Sequence, residues 1–444
     1  MATASRTELP FHLQGNYAPV PDEVDARELP VTGAVPQELA GRFLRNGPNP
    51  HHGGSAHWFL GDGMLHGLEL GDGRARTYRN RYVQTKLLRG EGTFIDDQGR
   101  VDLRVDAANT HVVGHAGRIL ALVENGFPYE VTPELDTVGW FDFDGRLTTA
   151  MTAHPKLDPA TGELHFFGYG FMAPYLTYHV ADRDGTLVRS EPISVPGPTM
   201  IHDFNLTEHH VIFMDLPIVF DPDLAARGGF PYRWDDAYGA RLGVMPRGGG
   251  DADVRWFDVE PCYVFHALNA YEQDGSVVLD VVRYPRLWDR SNEDFAPAYL
   301  TRWTVDLGAG TVKEEQLDDR PIEFPRVDPR VVGRPHRYGY ALQAPGGIGD
   351  EHATLVKYDQ ASGDAEVHDF GAGREPGEPV FVPRATGSAE DDGWVLTYVY
   401  DAARDTSDFV ILDAADFTAP RRAAVALPQR VPFGFHGSWI PDRV

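Results

Sequence analysis

Short strand-like runs separated by Asp- and Gly-containing turns dominate this chain, and helical periodicity is scarce. The runs at 118–123 (RILALV), 210–214 (HVIFM), 276–282 (SVVLDVV), 353–358 (ATLVKY) and 394–400 (WVLTYVY) each have strand length. The stretches 141–147, 157–164, 181–187, 305–312 and 358–365 all place Asp shortly before Gly, which supplies the positive φ of tight hairpin turns. The unit recurs loosely without a strict period, so a regular WD40-type array is not supported. Many antiparallel strands in one chain must dispose of their edges, and radial repetition in a propeller does so economically. A pair of β-sandwiches is the other solution the pattern allows. Seven blades would average roughly 60 residues each, leaving long loops on one face. The candidates for those loops are 216–250 and 284–300. We expect one domain over residues 1–444, with 1–35 as an N-terminal extension packing on it.

Composition excludes several function classes. With 40 Lys+Arg against 66 Asp+Glu the formal charge is −26, so nucleic acid is not an expected partner. The only lysines are Lys86, Lys156, Lys313 and Lys357, which leaves no polybasic membrane stripe. The single cysteine, Cys262, rules out an intrachain disulfide and a Cys-based zinc ribbon. The N-terminal segment lacks an apolar signal core, and no 18-residue apolar run occurs. These features lead us to expect a cytoplasmic protein without a transmembrane segment, peripheral contact with a membrane being compatible with them.

Of the 18 histidines, most, including His51, His52, His209 and His210, fit turn or strand-edge settings. Four stand apart by context: His154 in TAHPKLDP, His202 in MIHDFNLT, His266 in YVFHALNAYE and His436 in GFHGSWIP. They are too far apart in sequence for one local motif, and they suit four different blades each pointing one side chain inward. Four neutral imidazoles without a thiolate fit a borderline divalent metal such as Fe(II), Zn(II), Ni(II) or Cu(II). An imidazole ligand also needs its second nitrogen held, usually by a carboxylate. Glu124 (ALVENGFPYE), Glu323 (PIEFPR) and Glu378 (GEPVFV) stand in apolar or Pro-rich contexts and are candidates, although each could equally be a surface carboxylate.

Beyond these four segments, GRFLRNGPNP at 41–50, HWFLGDGMLHG at 57–67, RNRYVQT at 79–85 and RVPFGFHGSWIP at 430–441 together resemble the carotenoid cleavage oxygenases over nearly the whole chain. The resemblance implies an all-β fold, a seven-bladed β-propeller with a loop and helix dome over one face. It implies non-haem Fe(II), one ion per chain, on His154, His202, His266 and His436, with O2 as co-substrate. It also implies pairing of Glu124 with His202, Glu323 with His266 and Glu378 with His436, leaving His154 without a Glu. Thr110 matches a threonine that crowds a free metal position in relatives. Phe265 and Phe324 match aromatics that line the substrate cleft. The implied reaction cleaves a conjugated C=C bond of an apolar polyene or olefin into two carbonyl products. Stilbene-cleaving relatives grip a substrate phenol with a Lys directly before the first of these glutamates, together with a Tyr. Here Val123 stands in the Lys position while Tyr82 matches the Tyr, which favours a carotenoid or apocarotenoid over a stilbene. A zinc hydrolase on a propeller, and a propeller used only for binding, are the readings from other classes. The first would mix carboxylates among its metal ligands, and the second would need the four histidines only for packing.

Overall fold

The computed structural model describes residues 9–51, 54–288, 291, 295–346 and 352–442. Among them the strands form seven antiparallel blades around a common centre, and the sandwich alternative falls away. The first blade is built on Gly41–Pro48, Gly63–Gly71 and Arg74–Tyr82, and the second on His111–His115 through Thr137–Trp140. The third runs from Lys156–Leu157 to Leu187–Ile193, and the fourth from Phe204–Leu206 to Arg255–Asp258. Blades five and six share one long strand, Thr311–Arg326. Its first part pairs with Tyr299–Asp306 and its last part with Tyr338–Gln343. The seventh is built on Gly393–Asp401, Thr406–Asp413 and Ala423–Ala426, flanked by Val380–Pro383.

The ring is closed by exchange of segments between its two ends. Gly437–Pro441 pairs with Gly41–Pro48 of the first blade, and Val31–Gly33 pairs with Ala423–Ala426 of the last. The segment 1–35 thus contributes strands to both end blades, since Asp25–Arg27 also pairs with Arg74–Tyr82. Residues 1–8 of that extension lie outside the described residues, as does His52.

All five strand-like runs are strands. At 181–187 the Asp182 carboxylate accepts from the N–H groups of Asp184 and Thr186, and Gly185 takes φ +86° to close the hairpin. The turn at 141–147 is different. It follows the last strand of the second blade and leads toward the third, so it is an inter-blade connection and not a hairpin. An Asp-Gly pair reports a local reversal, not what the reversal joins.

The stretch 216–250 carries structure of its own. Ile218–Phe220 pairs with Tyr232–Trp234, and between them lies the short helix Pro222–Ala226. Asp221 caps it by accepting from Asp223 and Leu224 N–H, with Pro at the first position. This helix and the surrounding loops, together with parts of 284–300, form the dome. No helix among the described residues is long and apolar enough to cross a membrane.

Close backbone approach pins the path into the centre. A Cβ on Gly63 would lie 2.4 Å from the carbonyl oxygen of Ala108, while Gly63 N–H donates to the Ala107 carbonyl at 2.9 Å. Gly63→Ala should therefore cost about 1–3 kcal/mol, as overpacking does. A melting temperature equal to that of the unmodified protein would show that the 107–110 segment yields freely.

Candidate metal centre

The first strand of every blade begins at the centre, and each delivers one side chain of the expected set there. Thr110 precedes His111–His115, His154 lies two residues before Lys156–Leu157, and His202 two before Phe204–Leu206. His266 sits within Tyr263–Gln273 and Glu323 within the last part of Thr311–Arg326. Glu378 lies two residues before Val380–Pro383, and His436 directly before Gly437–Pro441. Glu124 is the exception, coming from the loop after Arg118–Leu122. Register shifts interrupt the ladder beside His266 and between Glu323 and Arg326, as bulges do where a strand must re-aim a side chain. Phe324 there has φ +52°, a strained value for a bulky residue. It is held by its N–H donating to Glu323 at 2.6 Å and by its ring stacking on His266, with centroids 5.3 Å apart.

The four histidines converge. Their Nε2 atoms are 3.0 Å apart between His154 and His202, 3.3 Å between His202 and His266, and 3.1 Å between His266 and His436. All four are buried, with ligand atoms within 4.8 Å of one another. Behind them, the Nδ1 of His202 meets Glu124, that of His266 meets Glu323 at 2.5 Å, and that of His436 meets Glu378 at 2.8 Å. Among the described residues no carboxylate pairs with His154.

This arrangement decides the tautomers. A carboxylate held by donors can only accept, so each paired Nδ1 carries the hydrogen and each Nε2 turns a lone pair toward the centre. These converging lone pairs, 3.3 Å apart between His202 and His266 and 3.1 Å between His266 and His436, repel unless a cation lies between them. Nitrogens about 2.1 Å from one shared ion would stand roughly 3.0–3.4 Å apart. The donor set therefore fits a divalent metal bound by neutral imidazoles. Burial, reinforced by the neighbouring imidazoles, pushes His154 and His436 well below the ordinary histidine value, which keeps them in the neutral form that a metal requires.

Each carboxylate is anchored in turn. Tyr169 donates to Glu124 at 2.5 Å and Tyr284 to Glu323 at 2.8 Å. Glu378 receives Arg326 at two points, 2.8 and 3.1 Å, and the N–H of Gly437 at 2.8 Å. Burial raises both tyrosines well above their usual values, so they remain protonated donors. Asp203, next to His202, pairs with Lys156 at 2.7 Å and accepts the N–H of Ala267, next to His266, at 2.9 Å. Thr152 takes the N–H of His154 and donates to the His202 carbonyl.

The other expected residues divide between the centre and elsewhere. Phe265 packs edge-on against His202, with centroids 5.0 Å apart, and Phe324 also reaches His436 at 5.4 Å. Together with Trp58, Phe59, Phe295, Phe433 and Phe435 they form an apolar vault over the histidines. Thr110 is buried and its carbonyl accepts the His436 N–H at 3.1 Å. Val123 is buried beside Glu124. Tyr82 lies in a separate small cluster with Val20 and Met64, and its hydroxyl accepts from Asn49 at 2.5 Å.

Sequence reasoning missed Tyr169, Tyr284, Thr152, Arg326 and His111, a fifth histidine whose ring is 5.2 Å from that of His436. Arg326 and His111 stand directly beside quoted motifs, in IEFPR and ANTHVV. The tyrosines carry no such signal.

A β-propeller whose axis holds four imidazoles backed by carboxylates defines a metal-dependent enzyme class, and comparison with known proteins agrees. The family model described as retinal pigment epithelial membrane protein matches residues 17–441. A carotenoid cleavage oxygenase of Mycobacterium tuberculosis is 43% identical, covering 99% of both chains. The carotenoid 9,10(9',10')-cleavage dioxygenase 1 of Arabidopsis thaliana is 37% identical over 98% of this chain and 90% of its own. Among solved structures, the Pseudomonas brassicacearum lignostilbene dioxygenase superposes with a TM-score of 0.89 at 30% identity, covering 99% of this chain and 100% of that one. Cobalt-substituted Synechocystis ACO gives 0.85 at 32%, covering 96% and 97%. The chain belongs to the carotenoid cleavage oxygenase family, and these relatives are named as carotenoid cleavage oxygenases and dioxygenases.

Glu378→Gln tests the anchoring. An amide offers one acceptor oxygen and an N–H pair to a site where His436, Arg326 and Gly437 all donate, so at least one donor faces another. Metal affinity or activity should fall about 10–100-fold. Wild-type affinity, measured by titration of the metal-free protein, would show that the carboxylate does not steer His436.

Proposed function

We propose that this protein binds one Fe(II) on His154, His202, His266 and His436 and uses O2 to cleave one conjugated C=C bond of a carotenoid or apocarotenoid. One oxygen atom goes to each carbon, giving two carbonyl products. The observation that carries this reading is the ligand set itself: four imidazoles, with Glu124, Glu323 and Glu378 each committed to an imidazole Nδ1 and Asp203 to Lys156. When bound, Fe(II) supplies the one-electron steps that let triplet O2 react with a singlet olefin. The family membership and the names of the relatives support the same reaction class.

The chain's own residues have three tasks. Glu124, Glu323 and Glu378 fix ring orientation and keep each ligating nitrogen basic. Thr110 joins the backbone that seats His436 and is assigned to crowding one open position at the metal. Phe265 and Phe324, with the vault above them, exclude water and offer flat apolar surfaces to a polyene, which has no polar handle and is held by shape. A hydrolase would need a carboxylate or imidazole free to take a proton from water. The three glutamates here are occupied, which favours the oxygenase.

A second reading, cleavage of a stilbene-type olefin, draws on the similarity to the lignostilbene dioxygenase. Val123 argues against it, because an apolar side chain leaves a buried substrate phenol without a donor. Tyr82 lies in a small cluster with Val20 and Met64, where its hydroxyl accepts from Asn49 and keeps its own O–H to donate.

Metal analysis of the purified protein should give iron near one equivalent, and His202→Ala and His436→Ala should lose both iron and cleavage. Zinc in place of iron, or no metal at all, would sink the proposal. For the substrate, an unpaired buried hydroxyl costs about 1–3 kcal/mol. The kcat/KM on an apocarotenoid should therefore exceed that on a 4-hydroxystilbene by roughly ten- to hundredfold, and Val123→Lys should narrow the gap. A preference of the unmodified enzyme for the stilbene would overturn the substrate while sparing the iron reading.

A further inference from the structure

Among the described residues, carboxylates hold three ligands of the cage at Nδ1 and none holds the fourth, His154. Near its ring lies that of His111. It is buried, with its ring centroid 6.2 Å from that of His154. Its Nδ1 is 2.7 Å from the carbonyl oxygen of Ala153, the residue before His154. A carbonyl only accepts, so that nitrogen carries the hydrogen and Nε2 presents a lone pair. Two groups able to donate face this lone pair, the Nη2 of Arg326 at 3.4 Å and the Oγ of Ser438 at 3.3 Å.

Arg326 can only donate, so it selects the tautomer of His111 whose Nε2 accepts. Arg326 is itself immobilised, with two contacts to Glu378 and one of 2.6 Å to the carbonyl of Gly437. A continuous hydrogen-bonded path therefore runs from His436 through Glu378, Arg326 and His111 to the peptide that carries His154. The N–H of His154 is fixed independently by Thr152 at 3.1 Å.

We propose that His111 is the positioning residue for His154, locked as an Nδ1–H donor by Arg326. It places through the main chain the one imidazole that no carboxylate places through its ring. The inference rests on the four histidines being a metal cage. It also predicts an asymmetric cage, because a carboxylate partner strengthens an imidazole as a donor and His154 has none.

Cobalt(II) serves as the probe, since its visible ligand-field bands report ligand arrangement without turnover. The metal-free full-length protein is titrated with Co(II) for affinity and spectrum, and its own melting temperature is recorded. His111→Asn places an amide near the Nδ1 position and can still donate to the Ala153 carbonyl. His111→Gln reaches toward Arg326 but not toward Ala153. His111→Phe keeps the ring shape and loses both bonds.

The Gln and Phe variants should bind Co(II) about tenfold or more weakly, with shifted bands. The Asn variant should stay within a few-fold of the unmodified protein. Equal affinities and spectra for Asn and Gln would overturn the assignment. So would an unchanged Phe variant, or a loss that only follows the melting temperature of the metal-free protein. If the unmodified protein takes up no cobalt, the cage reading itself fails, an outcome distinct from all of these.

Discussion

Four imidazole nitrogens aimed at one point repel each other, and a chain will hold them so only if something stiffer than a side chain imposes the geometry. The propeller does this with strand ends, seven of which start at the same centre. Each contributes one residue of the set, so the cage is a property of the ring and not of any segment. Burying three carboxylates behind the imidazoles adds to the difficulty, because an unpaired buried charge costs several kcal/mol. Every one of them is met by donors: a ligand Nδ1, and then Tyr169, Tyr284 or Arg326.

Electrostatics then narrows the choice of ion. Three glutamates and one arginine leave the shell behind the imidazoles with two formal negative charges, which a divalent cation neutralises. A more highly charged ion would leave a net positive charge in an apolar vault, an environment that penalises it. The aromatics resting on His202, His266 and His436 remove the water that would otherwise screen these charges. The vault that suits a polyene therefore also makes the charge balance of the cage count for more.

Much of this was legible in the sequence, for identifiable reasons. The turns and runs reported strands because those signals are local. His154, His202, His266 and His436 could be picked out by their local sequence contexts, and the match to a known family then supplied the glutamate pairings that the structure contains. The outer partners were hidden because they are fixed by tertiary contact: Tyr169 and Tyr284 reach their glutamates from strand ends with no motif around them. His111 looked like one more strand histidine, and only the position of Arg326, 215 residues away, gives it a part.

The exchange of segments that closes the ring has a consequence for how the protein is made. His436 enters with Gly437–Pro441, the strand that completes the first blade against Gly41–Pro48. A ribosome therefore delivers three ligands long before the fourth, and until the last strand docks, the nascent chain exposes an incomplete chelator. Completion of the four-imidazole cage and closure of the first blade are one event, so whatever free energy an ion contributes by binding the folded form alone acts as a clasp on that closing strand.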